Sequence, residues 1–180
     1  MKAQLLIWLL TLLVAAPAVA GEDREQKKQG EYQRHDDFGR PEPGMAIAGF
    51  PELSNNAVLG ASSANILQQG AGNYANATQR GQGHVLPVRQ EGTQNNAVVL
   101  QAGNGQAARI EQIGNNNSVQ LSQDGFANRS GVIQHGQDNA SSVVQNGMHN
   151  AVLISQTGSG LGVSVQQIGD SNLAFVTQTQ

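Results

Sequence analysis

Gln68-Gln69-Gly70-Ala71-Gly72-Asn73-Tyr74-Ala75-Asn76-Ala77-Thr78-Gln79 is one unit of the repeat that decides the fold. Glutamine recurs at Gln68, Gln79, Gln90, Gln101, Gln112, Gln123, Gln134, Gln145, Gln156, Gln167 and Gln178, always eleven residues apart. Glycine follows two residues after each of the first ten. Val or Ile stands two residues before nine of the eleven glutamines, and Ala, Ser, Val or Leu four before. Six before, asparagine appears at Asn73, Asn95, Asn117, Asn128, Asn139, Asn150 and Asn172. Low-complexity disorder needs no such register.

Spacing of two within the unit places Asn, Ala, Val and Gln on one face of a strand. The positions between them vary freely (Leu67, Thr78, Arg89, Leu100, Glu111), so the constrained face is the interior. An eleven-residue period also suits a right-handed coiled coil. Glycine in nearly every unit, at about 1 kcal/mol each in a helix, and the β-branched apolar positions oppose that. A membrane β-barrel would need an apolar outer band with aromatic girdles, which neither face supplies.

A strand of this length cannot bury its face alone. Two units facing each other across a glycine turn make one 22-residue coil. The fold class predicted is therefore all-β: a β-solenoid of eleven short strands in two stacked parallel sheets. With strands about 4.7–4.8 Å apart, five and a half coils make a column roughly 25 Å tall.

Stacking brings equivalent residues together one coil apart. The even-numbered glutamines from Gln68 to Gln178 form one predicted ladder, and Gln79, Gln101, Gln123, Gln145 and Gln167 the other. Asn73, Asn95, Asn117 and Asn139 form a parallel run. A buried amide without a partner costs about 1–3 kcal/mol, and a ladder satisfies each amide along the row. Surface polarity is the competing reading of these amides, and their fixed phase beside Val and Ile opposes it.

The last unit carries no charge or proline to block its edge, as natural edges usually do. It presents Asn172, Ala174, Val176 and Gln178 inward, as an expected assembly edge; a frayed terminus is the alternative. Pro87, which lacks a ladder donor, with Asp124, Asp138 and Asp170 near turns, are candidate gatekeepers against uncontrolled assembly.

Outside the repeat (54–180) two segments stand apart. Residues 1–20 have a basic start at Lys2, an apolar run Leu5 to Val14 and the small residues Ala18-Val19-Ala20, the pattern of a secretory signal peptide. The run is short for a membrane anchor. Residues 21–53 are charged, with twelve of the 23 charged residues between Glu22 and Glu42, and then turn Pro- and Gly-rich, which predicts a flexible segment, either a linker or a secretion address.

Composition removes several function classes. Cysteine is absent, so no disulfide compensates for a thin core. The net charge of -3 comes with no basic, aromatic-laced patch, which speaks against nucleic-acid binding. His84, His135 and His149 occupy different phases of the repeat and are expected to face solvent, while His35, Asp36 and Asp37 lie in the flexible segment. No Ser-His-Asp set or metal-ligand spacing can be placed. No catalytic residue, cofactor, metal or small-molecule substrate is therefore expected.

The pattern Gln-x-Gly-x-x-Asn-x-Ala-x-x-x-Gln, carried by residues 62–180, resembles that of curlins, the subunits of curli amyloid fibres on Gram-negative bacteria. The resemblance implies secretion through the periplasm and a dedicated outer-membrane pore. It further implies polymerisation with itself or another curlin, an extracellular fibre at the cell surface, and roles in biofilm and adhesion. In that family the mature N-terminal segment addresses the pore, which falls here within 21–53. Irregular units at Pro87, Ala77 and Leu161 resemble the minor, nucleating subunit more than the major one. The uncharged ending Thr177-Gln178-Thr179-Gln180 departs from the nucleator pattern. A monomeric adhesive or ice-binding solenoid is the rival from another class.

Overall fold

The computed structural model describes residues 9–15 and 61–180. Twelve strands are formed: β1 (Leu9–Ala15), β2 (Ser63–Ala71), β3 (Tyr74–Gln82), β4 (Val85–Thr93), β5 (Asn96–Asn104), β6 (Ala107–Asn115), β7 (Ser118–Phe126), β8 (Arg129–Gln137), β9 (Ala140–Met148), β10 (Ala151–Ser159), β11 (Gly162–Ile168) and β12 (Leu173–Thr179). Eleven, β2 to β12, are the repeat units.

They wind into a β-solenoid. Even-numbered strands make one sheet in the order β12-β10-β8-β6-β4-β2, and odd-numbered strands make the other, β1-β11-β9-β7-β5-β3. Every pairing is parallel, and each repeat strand meets its neighbour 22 residues on, as in Gln90↔Gln112 and Val99↔Leu121. Alternation follows directly: Val119, Leu121 and Gln123 of β7 are buried while Gln120 and Asp124 are exposed. The core between the sheets is a thin column of Val, Ile, Leu and Ala, including Leu86, Val99, Ile110, Val132, Ile154 and Val165.

Strands β2 to β10 are nine residues long, two more than the span from the asparagine position to the glutamine. In β2 to β10 they continue through the glycine two residues after the glutamine. These glycines do not make the turn; they let successive coils approach. Gly114 has φ +121°, and a Cβ there would lie 2.0 Å from the carbonyl oxygen of Gly136. The bend comes two residues later, where φ is again positive. Gly105 fills that position in one unit, but Ala127 (φ 53°) and Asp138 (φ 56°) fill it in others. Glycine is preferred there and not required, because a single left-handed residue costs about 1–2 kcal/mol.

The expected leader over 1–20 and the charged segment over 21–53 lie outside the described residues, apart from 9–15. Those seven residues were not expected in the fold. They form β1, which lies parallel on β11 with Leu9↔Gly162 through Ala15↔Ile168. An unpaired sheet edge offers a row of backbone donors and acceptors to any extended segment that reaches it.

Candidate assembly interface

All eleven glutamines come together as two ladders. In the even sheet the side-chain Nε2 donates to Oε1 of the glutamine 22 residues later: Gln68 to Gln90 (2.7 Å), Gln90 to Gln112 (2.8 Å), Gln112 to Gln134 (2.9 Å), Gln134 to Gln156 (2.9 Å) and Gln156 to Gln178 (2.8 Å). The odd sheet repeats this from Gln79 through Gln101, Gln123 and Gln145 to Gln167. The second amide hydrogen crosses to the other sheet. Gln90 donates to the Tyr74 carbonyl (3.0 Å) and Gln145 to that of Arg129 (3.0 Å). Most buried amides, such as Gln90, Gln112 and Gln145, thus stitch coils along the column and sheets across it.

The ladders are polar. Every bond points the same way, so Gln167 and Gln178 end as donors, while Gln68 and Gln79 end as acceptors whose Oε1 receives no glutamine from below. A second copy placed on either end meets the complementary group. Both ends also carry exposed apolar side chains: Ile66, Leu67 and Tyr74 at one, Leu173 and Phe175 at the other.

The asparagines make part of the expected amide-to-amide ladder, with Asn95 Nδ2 donating to Asn73 Oδ1 (3.2 Å) and Asn117 Nδ2 to Asn95 Oδ1 (3.1 Å), and add bonds to the backbone. Their inward side chains sit just before each strand and hold the turn backbone. Asn95 Oδ1 accepts the N–H of Asn117 (3.1 Å), and its Nδ2 donates to the carbonyls of Gly114 (2.9 Å) and Glu91 (3.1 Å). Asn73, Asn95, Asn117 and Asn139 make one such row, which Leu161 ends by accepting nothing through its side chain; its N–H still donates to Asn139 Oδ1. A second row, missed in the sequence reading, runs along the other turn. There Asn150 donates its N–H to Asn128 Oδ1 and Asn172 to Asn150 Oδ1, each at 3.0 Å. The same eleven-residue phase carried that signal.

Below Asn128 this second row is built from substitutes. Gln106 Oε1 accepts the N–H of Asn128 (3.1 Å), and His84 Nδ1 accepts that of Gln106 (3.3 Å). His84 is fully buried, and its Nε2 lies 3.0 Å from the Arg80 carbonyl. That geometry requires the neutral ring with hydrogen on Nε2. The expectation that His84 faces solvent is therefore corrected: its ring reproduces two of the three backbone contacts such an asparagine makes, the N–H one coil on and the carbonyl four residues before. His135 and His149 are exposed.

The expected edge residues Asn172, Ala174, Val176 and Gln178 lie on or just before β12, the outermost strand of its sheet among the described residues. Pro87 lies on β4, facing out. Pairing of β4 with β6 skips Leu86 and Pro87, whereas pairing with β2 is continuous, with Asn65 opposite Pro87. The lost donor thus falls on the β6 side. Asp138 accepts from Asn116 Nδ2, and Asp170 accepts the N–H of Met148 (2.8 Å), so both tie adjacent coils at the turns. Asp124 is exposed.

Charges on the outer face pair locally: Arg89 with Glu91 and Glu111, and Arg109 with Glu111 (2.9 Å). Arg129 is nearly buried between Ala107 and Ala151, and burial lowers its pKa from the usual guanidinium value. Among the described residues no three His, Asp or Glu side chains gather as a metal site.

A family model described as the curlin associated repeat matches residues 87–114, 114–147 and 147–179. No curated protein matches the chain.

Proposed function

The chain belongs to the curlin family, and from that premise we propose that it is a structural subunit of an extracellular curli-like fibre, most suited to nucleating polymerisation at the cell surface. The observation that carries this is the polarity of the glutamine ladders, whose donor end and acceptor end fit each other on separate copies. Assembly by this route needs no ligand and no catalytic group; the polymer grows by extending the hydrogen-bond rows already inside the monomer.

The nucleating role is supported by the irregular units: Pro87 interrupts the backbone pairing of β4 with β6, and Leu161 and His84 replace asparagines. Such departures slow uniform stacking, while Asn172, Val176 and Gln178 keep the repeat pattern in the last unit. The uncharged ending Thr177 to Gln180 favours the major subunit as the second reading. Export through an outer-membrane pore, with the address within 21–53, and service in biofilm and adhesion complete the proposal.

The test mixes purified chain with an amyloid-binding dye, with and without preformed seeds. Self-seeded fibres are expected. Persistently soluble monomer would instead support a solenoid that acts alone. Acceleration of a second curlin by substoichiometric amounts of this chain distinguishes nucleator from bulk subunit; no acceleration removes the nucleating role.

A further inference from the structure

We propose that successive copies in the fibre are related by a half-turn about the column axis, so that each sheet of one copy continues into the opposite sheet of the next. This rests on the fibre reading above and adds the geometry of its joint.

Among the described residues the count of repeat strands is odd. Each strand lies half a coil beyond the last, so β2 and β12 fall in the same sheet. The next seat along the winding lies on β11, in the other sheet. β1 occupies that seat in parallel register, so the seat accepts a strand. When a second copy extends the column in place of β1, its β2 takes this seat and its β3 lies on β12. That arrangement is a half-turn. An unturned copy would set its β2 on β12 and leave the seat on β11 to be filled by a separate segment such as β1.

The asparagine rows choose between these. One turn column reads Asn73, Asn95, Asn117, Asn139, Leu161 from the acceptor end upward. The other reads Ser62, His84, Gln106, Asn128, Asn150, Asn172. The first is asparagine at its lower end and the second at its upper end. A half-turn sets Asn73 of the next copy over Asn172, making one unbroken row of seven. Asn172 Oδ1 then accepts the Asn73 N–H, and Asn172 Nδ2 meets the Gly70 carbonyl, as Asn150 Nδ2 meets that of Gly169 within the chain (2.6 Å). Without the turn, Ser62 would lie over Asn172, and Asn73 over the segment filling the β11 seat.

The outer and ladder positions agree. After a half-turn Gln68 receives Gln167, Gln79 receives Gln178, and Tyr74 covers Leu173, both of which are 53% exposed in the monomer. Unturned, Leu173 meets Ser63 and Phe175 meets Asn65.

Cysteine pairs read the joint directly, since the chain has no cysteine of its own. In-register neighbours on parallel strands lie about 4.8 Å apart, within the usual Cα range of a disulfide. Thr78, Leu67 and Thr177 are exposed outward positions. Fibres of Thr78→Cys/Thr177→Cys, oxidised mildly, should run as a ladder of linked chains on a non-reducing gel. Fibres of Leu67→Cys/Thr177→Cys should run as monomer. The reverse pattern, or equal linking, overturns the half-turn while leaving the fibre reading intact. If the unsubstituted chain forms no fibre, both fall. Should the cysteine variants alone fail to polymerise, the symmetry of unsubstituted fibres by electron microscopy decides. A half-turn per copy with a rise of about 26 Å supports the joint, and an unturned repeat near 29 Å refutes it.

Discussion

Asn172 donates its backbone N–H to Oδ1 of Asn150 at 3.0 Å, yet its own Oδ1 receives no such N–H from the described residues. It makes every downward bond of its row and none upward. An interior row has thus become a surface with an unfilled acceptor, beside the donor amides of Gln167 and Gln178.

Replacing Asn172 with Leu should therefore impair elongation more than folding. Loss of one buried acceptor at the joint, about 1–3 kcal/mol, predicts roughly 5- to 100-fold slower growth from seeds. The strand content of the monomer, measured by circular dichroism, should stay near that of the parent. Unchanged growth would show that the row does not cross between copies.

Interior glutamines should behave oppositely. Gln112→Ala leaves Gln90 Nε2 without its ladder acceptor and Gln134 Oε1 without its donor, both buried. A loss of about 2–5 kcal/mol is expected, seen as a lower denaturant midpoint of the soluble chain. A shift below 0.5 kcal/mol would mean that the ladder adds little to stability.

Gly114→Ala tests the close approach of coils. Its Cβ would fall 2.0 Å from a backbone oxygen that has no freedom to move aside. Stacking should fail at this coil, with parallel-sheet signal lost in infrared spectra. Normal spectra would contradict the spacing described.

Much of this was legible from phase alone. The interval from Gln68 to Gln178 gave the coil length, the pairing partner of each residue and the buried face, because a side-chain ladder tolerates no slip. The asparagine chemistry was legible only in part. The like-amide bonds of Asn95 and Asn117 follow from phase, whereas the bonds of the same side chains to backbone, such as Asn95 to the Gly114 carbonyl, depend on where the turn places that carbonyl. His84 was misjudged for a related reason: its type suggests solvent, while a neutral imidazole carries one acceptor and one donor, enough for the acceptor and one of the two donors of the amide it replaces. Strand β1 had no signal in the repeat, since Leu9–Ala15 shares none of its phase.

Ser130 offers a prediction of the opposite sign. Its Oγ is buried between Ala108 and Val152 with no hydrogen-bond partner, whereas Ser141 in the facing sheet donates to Gln156 Oε1 at 2.7 Å. Ser130→Ala should raise stability by about 1 kcal/mol, read from the denaturant midpoint. Ser141→Ala should lower it.

Pro87 removes one donor from the β4–β6 pairing. Pro87→Val restores it and should shorten the lag before fibre growth in unseeded reactions. A lag that stays the same or lengthens would remove Pro87 as a brake on assembly.

Hydrogen exchange at the glutamine side-chain amides, followed by nuclear magnetic resonance before and after polymerisation, addresses the continuation of the ladders most directly. Slow exchange is expected at Gln90 through Gln156 in monomer and fibre alike, with Gln178 joining them only in the fibre. Exchange at Gln178 that stays as fast in the fibre as in the monomer would contradict assembly through the ladder ends.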